Sequence, residues 1–160
     1  MEYKLEDKLK CIISSLKDYM DFTNVPELKH KIIFLLHQIT MLLKNIKFYC
    51  KKIERNKNIL NMMLSHSIGT NERIDRLKNR RLNPDENATL YQQIEEEQSI
   101  EEEILYLNER LVKDNSYMDV IKYNIQTYDL YLAKSSRRLE SVQSEYDTLY
   151  KEIYEKHKLF

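Results

Sequence analysis

The fold of this chain is decided by residues 28–53, which read LKHKIIFLLHQITMLLKNIKFYCKKI. Apolar side chains recur here at alternating spacings of four and three residues, which is the 3.5-residue period of a coiled coil. Isoleucine predominates at the a positions and leucine at the d positions of successive heptads. This first apolar track consists of Leu28, Ile32, Leu35, Ile39, Leu42, Ile46, Tyr49 and Ile53.

A second track with the same period fills most of the C-terminal half of the chain. It is longer than a helix of an ordinary globular domain requires, so it also predicts a coiled-coil helix. The heptad phase does not change across residues 114–116, and we therefore expect one continuous helix there. The second track consists of Ile104, Leu107, Leu111, Met118, Ile121, Ile125, Tyr128, Leu132, Leu139, Val142, Tyr146, Leu149, Ile153 and Phe160.

The composition excludes a β-sheet as firmly as the periodicity favours helices. The chain has 160 residues with a single glycine and two prolines, which leaves almost nothing from which to build β-turns. Charged residues make up 32% and hydrophobic residues 42%, a balance that suits helices with one buried stripe. We predict one all-α domain, an elongated antiparallel coiled-coil hairpin or a bundle of three to four helices.

Capping signals divide the chain into helices at about 2–22, 26–67, 70–82 and 84–160. Thr23 or Asn24 can cap the second helix, and proline at position 26 suits a first helical turn, where no N–H is needed. The pair Gly69–Thr70 indicates either a C-cap followed by an N-cap or a kink within one helix. The pair Asn83–Pro84 is the clearest boundary, with a capping asparagine and acidic residues in the turn that follows.

The zero net charge conceals two halves of opposite sign. Residues 1–82 contain 17 Lys+Arg and 9 Asp+Glu, a net of +8, and the remaining residues carry the balancing −8. The excess can be interpreted as a basic arm for nucleic acid or an anionic surface, or as two halves that lie against each other. The second interpretation is favoured, because an antiparallel hairpin brings the basic residues 73–81 beside glutamates 95–97 and 101–103.

The expected hairpin geometry predicts where partners dock. A reversal at Asn83–Pro84 pairs residue 26 with roughly residue 140, so residues 141–160 overhang with an unmatched apolar face, and such faces mark partner sites. The apolar stripe of the second helix is also too wide for a two-helix contact. The predicted partner-binding residues are Val142, Tyr146, Leu149, Tyr150, Ile153, Tyr154 and Phe160, together with Phe34, Met41 and Phe48.

Signals of catalysis are close to absent, and we predict that the chain is not an enzyme. One glycine cannot supply a phosphate-binding loop or a dinucleotide fingerprint. The four histidines are scattered, and Glu27 with His30 forms a single Glu-x-x-His unit where a di-iron bundle needs two. No cofactor and no metal site are therefore expected.

The favoured function is a scaffold or adaptor subunit that assembles through heptad positions with partner helices, its own or those of another subunit. One alternative is a structural protein of viral or microbial type that forms homo-oligomers. A second alternative is binding to nucleic acid or an anionic surface, with candidate contacts at Lys51, Lys52, Arg55, Arg73, Arg76, Arg80 and Arg81. Cys11 and Cys50 form no CxxC pair and no signal peptide is evident, so we expect a reducing cytoplasmic or nuclear compartment and no transmembrane segment.

Overall fold

The described part of the chain is entirely helical apart from two connections. In the computed structural model, the backbone is described for residues 2–157 and the side chains for residues 6–21 and 23–155. Within that range the chain forms α1 (Glu2–Phe22), α2 (Pro26–Leu82) and α3 (Leu90–His157), and no strand. The predicted all-α fold, with helices folded back on one another, is confirmed.

The first connection, residues 23–25, reverses the chain within a few residues. The Thr23 amide donates to the Tyr19 carbonyl at 3.0 Å and so closes α1. The Val25 amide donates to the Thr23 hydroxyl oxygen at 3.3 Å, while the Val25 carbonyl already accepts the first hydrogen bond of α2 from the Lys29 amide. Pro26 occupies the first helical position as predicted, because its missing N–H has no role there.

The second helix does not end at Gly69. The α2 helix runs without interruption from Pro26 to Leu82, so the separate helix predicted at 70–82 is its last part. The Thr70 hydroxyl donates to the His66 carbonyl at 3.0 Å, a back-bond within a continuing helix and not a cap. The cap and the kink were both open from the sequence, and the surrounding helical periodicity outweighs the low helix propensity of one glycine.

The third helix begins six residues later than the Asn83–Pro84 signal predicts, at Leu90. The Asn83 amide still donates to the Asn79 carbonyl at 3.0 Å, so Asn83 closes α2 and does not cap α3. The cap is supplied by Thr89: its hydroxyl accepts from the Gln92 amide at 3.2 Å, and the Gln92 side chain accepts from the Thr89 amide at 3.0 Å. This reciprocal pair is a capping box.

The described chain packs as two compact units, Met1–Glu54 with Gln126–Phe160 and Arg55–Ile125. In the first unit, α1 and the early part of α2 pack with the late part of α3 around one apolar core. A salt bridge of 3.2 Å from Lys47 to Glu6 joins α2 to α1. Hydrogen bonds from Lys10 and Lys47 lower the pKa of the Glu6 carboxyl. The buried core consists of Leu9, Ile12, Leu16, Leu28, Ile32, Leu35, Ile39, Leu42, Ile46, Cys50, Leu139, Val142, Leu149 and Ile153.

The predicted overhang is not found in its described part, residues 141–155. Lys31 of α2 contacts Glu152 of α3 at 2.8 Å, so the start of α2 lies beside a part of α3 well beyond residue 140. The later part of α3 is therefore paired with the start of α2. Of the predicted docking residues, Val142, Leu149 and Ile153 are consequently buried in the core of the first unit, and Phe160 lies outside the described residues.

The second unit is a two-helix hairpin with a smaller core. Ile74 and Leu77 of α2 pack against Ile100, Ile104 and Leu107 of α3, with Leu111 at the edge of the cluster. The α3 helix continues through residues 114–116 as predicted, and Asp114 contacts His66 at 3.5 Å.

Candidate functional site: the α2–α3 groove

Three apolar side chains at seven-residue intervals on α2 are exposed in the first unit. Phe34 is 61% exposed, Met41 45% and Phe48 51%. Residues seven apart lie on one side of a helix, so the three form a line, which we call the Phe34 row. The sequence predicted all three as partner-binding residues from the width of the α2 stripe, and their exposure agrees with that geometry.

The Phe34 row borders a groove between α2 and α3. One hollow of about 360 Å³ is lined by Phe34 and Leu35 of α2 and by Ser144, Thr148 and Leu149 of α3. A second hollow of about 440 Å³ follows along α2 and is lined at its apolar part by Met41 and Leu42. No described side chain of α1 lines either hollow. We call the two hollows together the α2–α3 groove.

The second hollow is basic. His37 lines it from α2, and Lys134 and Arg138 line it from α3. No carboxylate is among the described residues that line it; its other polar groups are Gln38, Asn45 and Ser135. The local sequence explains this, because residues 28–53 and residues 130–139 contain no aspartate or glutamate. The positive charges of Lys134 and Arg138 attract anionic groups to this end of the groove.

The first hollow has a different charge. The Lys31 ammonium lies 2.8 Å from a carboxylate oxygen of Glu152, so the charges of these two residues compensate each other. Glu145 also lines the hollow. The groove therefore changes from weakly acidic beside Phe34 to basic beside Met41.

An aromatic cluster forms one wall at the basic end. The ring centroid of Tyr49 lies 5.4 Å from that of Tyr131 and 6.2 Å from that of Tyr128. The Lys134 ammonium lies 5.8 Å from the centre of the Tyr131 ring, and Lys52 lies 5.5 Å from the centre of the Phe48 ring. Aromatic rings of this kind supply contact area at a low cost in conformational entropy, which is why they are enriched at interfaces.

Tyr146 and Tyr150, two of the remaining predicted docking residues, lie beside Tyr19 of α1, and Tyr150 remains exposed. Tyr146 is half-buried and packs against the core, and the ring of Tyr150 lies 6.2 Å from that of Tyr19. Burial, and then a hydrogen bond with Tyr146, raises the pKa of the Tyr19 hydroxyl well above its usual value. Tyr154 is exposed.

The basic residues predicted as anion contacts are divided between the two units. In the second unit, Arg73 bonds Glu103 and Arg80 bonds Glu96, as the interpretation of two halves lying against each other predicts. Arg73 and Arg80 are therefore already paired within the hairpin of the second unit. The others that are exposed are Lys51 in the first unit and Arg55, Arg76 and Arg81 in the second, while Lys52 is half-buried.

Sequence reasoning missed the contribution of α3 to the groove. Lys134, Arg138 and Tyr131 were not singled out, because each looks like an ordinary residue of a solvated helix face. The available signal was the absence of acidic residues from 130–139, set against the equally acid-free stretch 28–53. Only a register that places these two stretches opposite each other turns that signal into a site.

Neither metal nor membrane chemistry is indicated in the described range. Among the described residues, no three His, Cys, Asp or Glu side chains lie close enough together to hold a metal ion. None of the described helices combines the length and the apolar character that crossing a membrane requires. Cys11 is exposed and Cys50 is buried, and neither forms a disulfide.

The fold and the groove define a class, an all-α helical hairpin with a third helix packed onto one unit. In comparisons with known proteins, no family model, no curated protein and no solved structure matches the chain.

Proposed function

We propose that this chain is a non-enzymatic scaffold subunit that binds a helix of another protein in the α2–α3 groove. The observation that carries the proposal is the Phe34 row, an exposed apolar line at heptad spacing along the edge of a groove between two helices. Helices that dock in grooves use apolar anchors at these intervals. A groove flanked by two packed helices offers such anchors a contact on both sides.

The width of the α2 stripe supports the same function. Leu36 and Leu43, on one flank, are half-buried against the core of the first unit. Phe34 and Met41, on the other flank, have no such cover within the described chain. A further helix over the Phe34 row would complete burial of the stripe at about 25 cal/mol for each Å² of apolar area removed from water.

The compartment is part of the proposal. We infer a reducing cytoplasmic or nuclear setting, because neither Cys11 nor Cys50 forms a disulfide and the sequence has no CxxC pair.

The test uses a defined helical probe and a matched pair of variants. The probe is a fluorescein-labelled peptide of about 21 residues. It has leucine at the first and fourth position of each heptad and glutamine and alanine at the other positions. It is kept at nanomolar concentration so that it stays monomeric. Fluorescence anisotropy then measures its affinity for the full chain, for Phe34→Asp and for Ile33→Asp.

Ile33 is the control because it is also exposed, at 49%, but does not line the groove. We expect saturable binding that Phe34→Asp weakens by about ten-fold or more, corresponding to roughly 1.4 kcal/mol, and that Ile33→Asp leaves unchanged within about two-fold. Circular dichroism checks that both variants remain helical. Equal affinities for the wild type and Phe34→Asp, or no saturable binding at all, contradict the proposal.

Light scattering on the same samples identifies the kind of chain that docks. A monomeric wild type supports docking of another protein. A dimer that Phe34→Asp dissociates and Ile33→Asp preserves overturns that assignment, since the helix in the groove then comes from a second copy.

A further inference from the structure

The basic end of the groove has a consequence for the partner. We infer that the docked helix is acidic where it passes Lys134 and Arg138, so that the partner of this chain is an acidic amphipathic helix. The inference rests on the proposed function and specifies the chemistry of the segment that the groove accepts.

The hollow beside Met41 is lined by cationic side chains without acidic ones among the described residues. His37, Lys134 and Arg138 line the hollow beside Met41, and no described carboxylate lines it with them. Within α3, the positions three and four residues from Arg138 are Lys134, Ser135, Ser141 and Val142, so no acid on its own helix compensates it. The hollow therefore favours carboxylates and disfavours a lysine-rich helix.

Three other basic residues that lie between α2 and α3 have carboxylate partners. Arg73 and Arg80 are bonded to Glu103 and Glu96, and Lys31 is bonded to Glu152. The chain thus supplies internal carboxylates for these cations and supplies none at the hollow beside Met41. Complementary charge from outside is what this part of the groove lacks.

The surroundings of Lys134 and Arg138 favour a helix over nucleic acid as the occupant of the groove. The cations do not stand on a flat basic surface but border an apolar line that continues from Met41 to Phe34. Nucleic acid would satisfy the cations and leave the Phe34 row uncovered. A helix with apolar anchors and acidic flanks covers the Phe34 row and also pairs with the cations. Complementary charge and complementary apolar surface therefore favour the same ligand.

The experiment compares three forms of the probe peptide. All share the same leucines, and the flanking positions carry glutamate, glutamine or lysine. Affinities for the full chain are measured by anisotropy near 0.15 M salt, where the Debye length of about 8 Å restricts charge effects to near neighbours. We expect the glutamate form to bind about ten-fold more tightly than the glutamine form, and the lysine form more weakly than both.

Two charge reversals on adjacent residues provide the control. Arg138 lines the groove, whereas its exposed neighbour Arg137 does not, so Arg138→Glu and Arg137→Glu change the net charge equally at different places. Arg138→Glu should remove most of the preference for the glutamate form, and Arg137→Glu should leave it within about two-fold. The affinity of the glutamine form should change little in either variant.

The outcomes separate this inference from the proposed function. If the three peptides bind equally well, the acidic partner is overturned while docking stands; if the glutamine form does not bind, the proposed function fails first. A preference that Arg137→Glu abolishes as fully as Arg138→Glu also overturns the inference, because it reflects net charge alone. Displacement of the glutamate form by a single-stranded oligonucleotide at lower concentration would reassign the site to nucleic acid.

Discussion

At the scale of single residues, burial separates apolar side chains to which the sequence assigns the same role. Ile153 has no exposed surface and lies in the core of the first unit, whereas Phe34 is largely exposed. Both were predicted as partner contacts. The buried residue serves the fold, and the exposed one is free to serve an interface.

This difference predicts opposite responses to truncation. Ile153→Ala should lower the free energy of unfolding by about 3 kcal/mol, because it removes buried methyl groups and leaves a cavity. Phe34→Ala should change it by no more than about 0.5 kcal/mol, since the side chain is mainly in contact with solvent. Urea denaturation followed by circular dichroism measures both. A small effect of Ile153→Ala would mean that residues 141–155 are not packed as described.

At the scale of elements, the boundaries of the helices are set by hydrogen bonds that residue types only suggest. Asn83–Pro84 has the composition of an N-cap, yet the Asn83 amide remains bonded to α2. The capping box of Thr89 and Gln92 starts α3 because it satisfies two terminal donors at once.

Gly69 provides a sign test for the continuity of α2. A Cβ added at Gly69 meets no atom within 4 Å, and the residue lies inside the helix. Gly69→Ala should therefore raise the free energy of unfolding by about 0.5–1 kcal/mol, through lower conformational entropy of the unfolded chain.

The sign of that change is informative in itself. If Gly69 ended a helix in the left-handed conformation, alanine would be destabilising there. Ser65→Ala, at an exposed position four residues earlier, reports the ordinary gain in helix propensity and should have the same sign as Gly69→Ala. Thermal melts of the two variants and the wild type make the comparison.

At the scale of the whole molecule, the two units differ in how much apolar surface they bury. The first unit packs three helices around a core that spans most of α1 and half of α2. The second packs two helices around a smaller cluster. Because stability varies with local burial, the units need not open together.

Native-state hydrogen exchange measures this difference. Amides of residues 28–50 should exchange only through openings of high free energy, and amides of residues 74–82 and 90–107 through openings lower by about 1–2 kcal/mol. Because α2 ends at Leu82 and α3 begins at Leu90, the terminal turns at 79–82 and 90–93 are left out of the comparison. Identical opening free energies in the two stretches would show a single cooperative unit instead.

The sequence by itself determined the fold class, the antiparallel hairpin and the apolar positions of α2. The period of 3.5 residues and the lack of glycine and proline mean that residues 28–53 are buried against other helices. It also identified the Phe34 row, because the α2 stripe is wider than one contact can cover. The scaffold function stays a prediction.

Only the tertiary structure decided which parts of α2 and α3 lie side by side. A heptad track pairs equally well at any shift of seven residues, so its pattern leaves the register open. In the first unit, the contact of Lys31 with Glu152 marks that register, which buries Val142, Leu149 and Ile153. The same register brings Lys134 and Arg138 opposite Met41, and so creates the basic end of the groove.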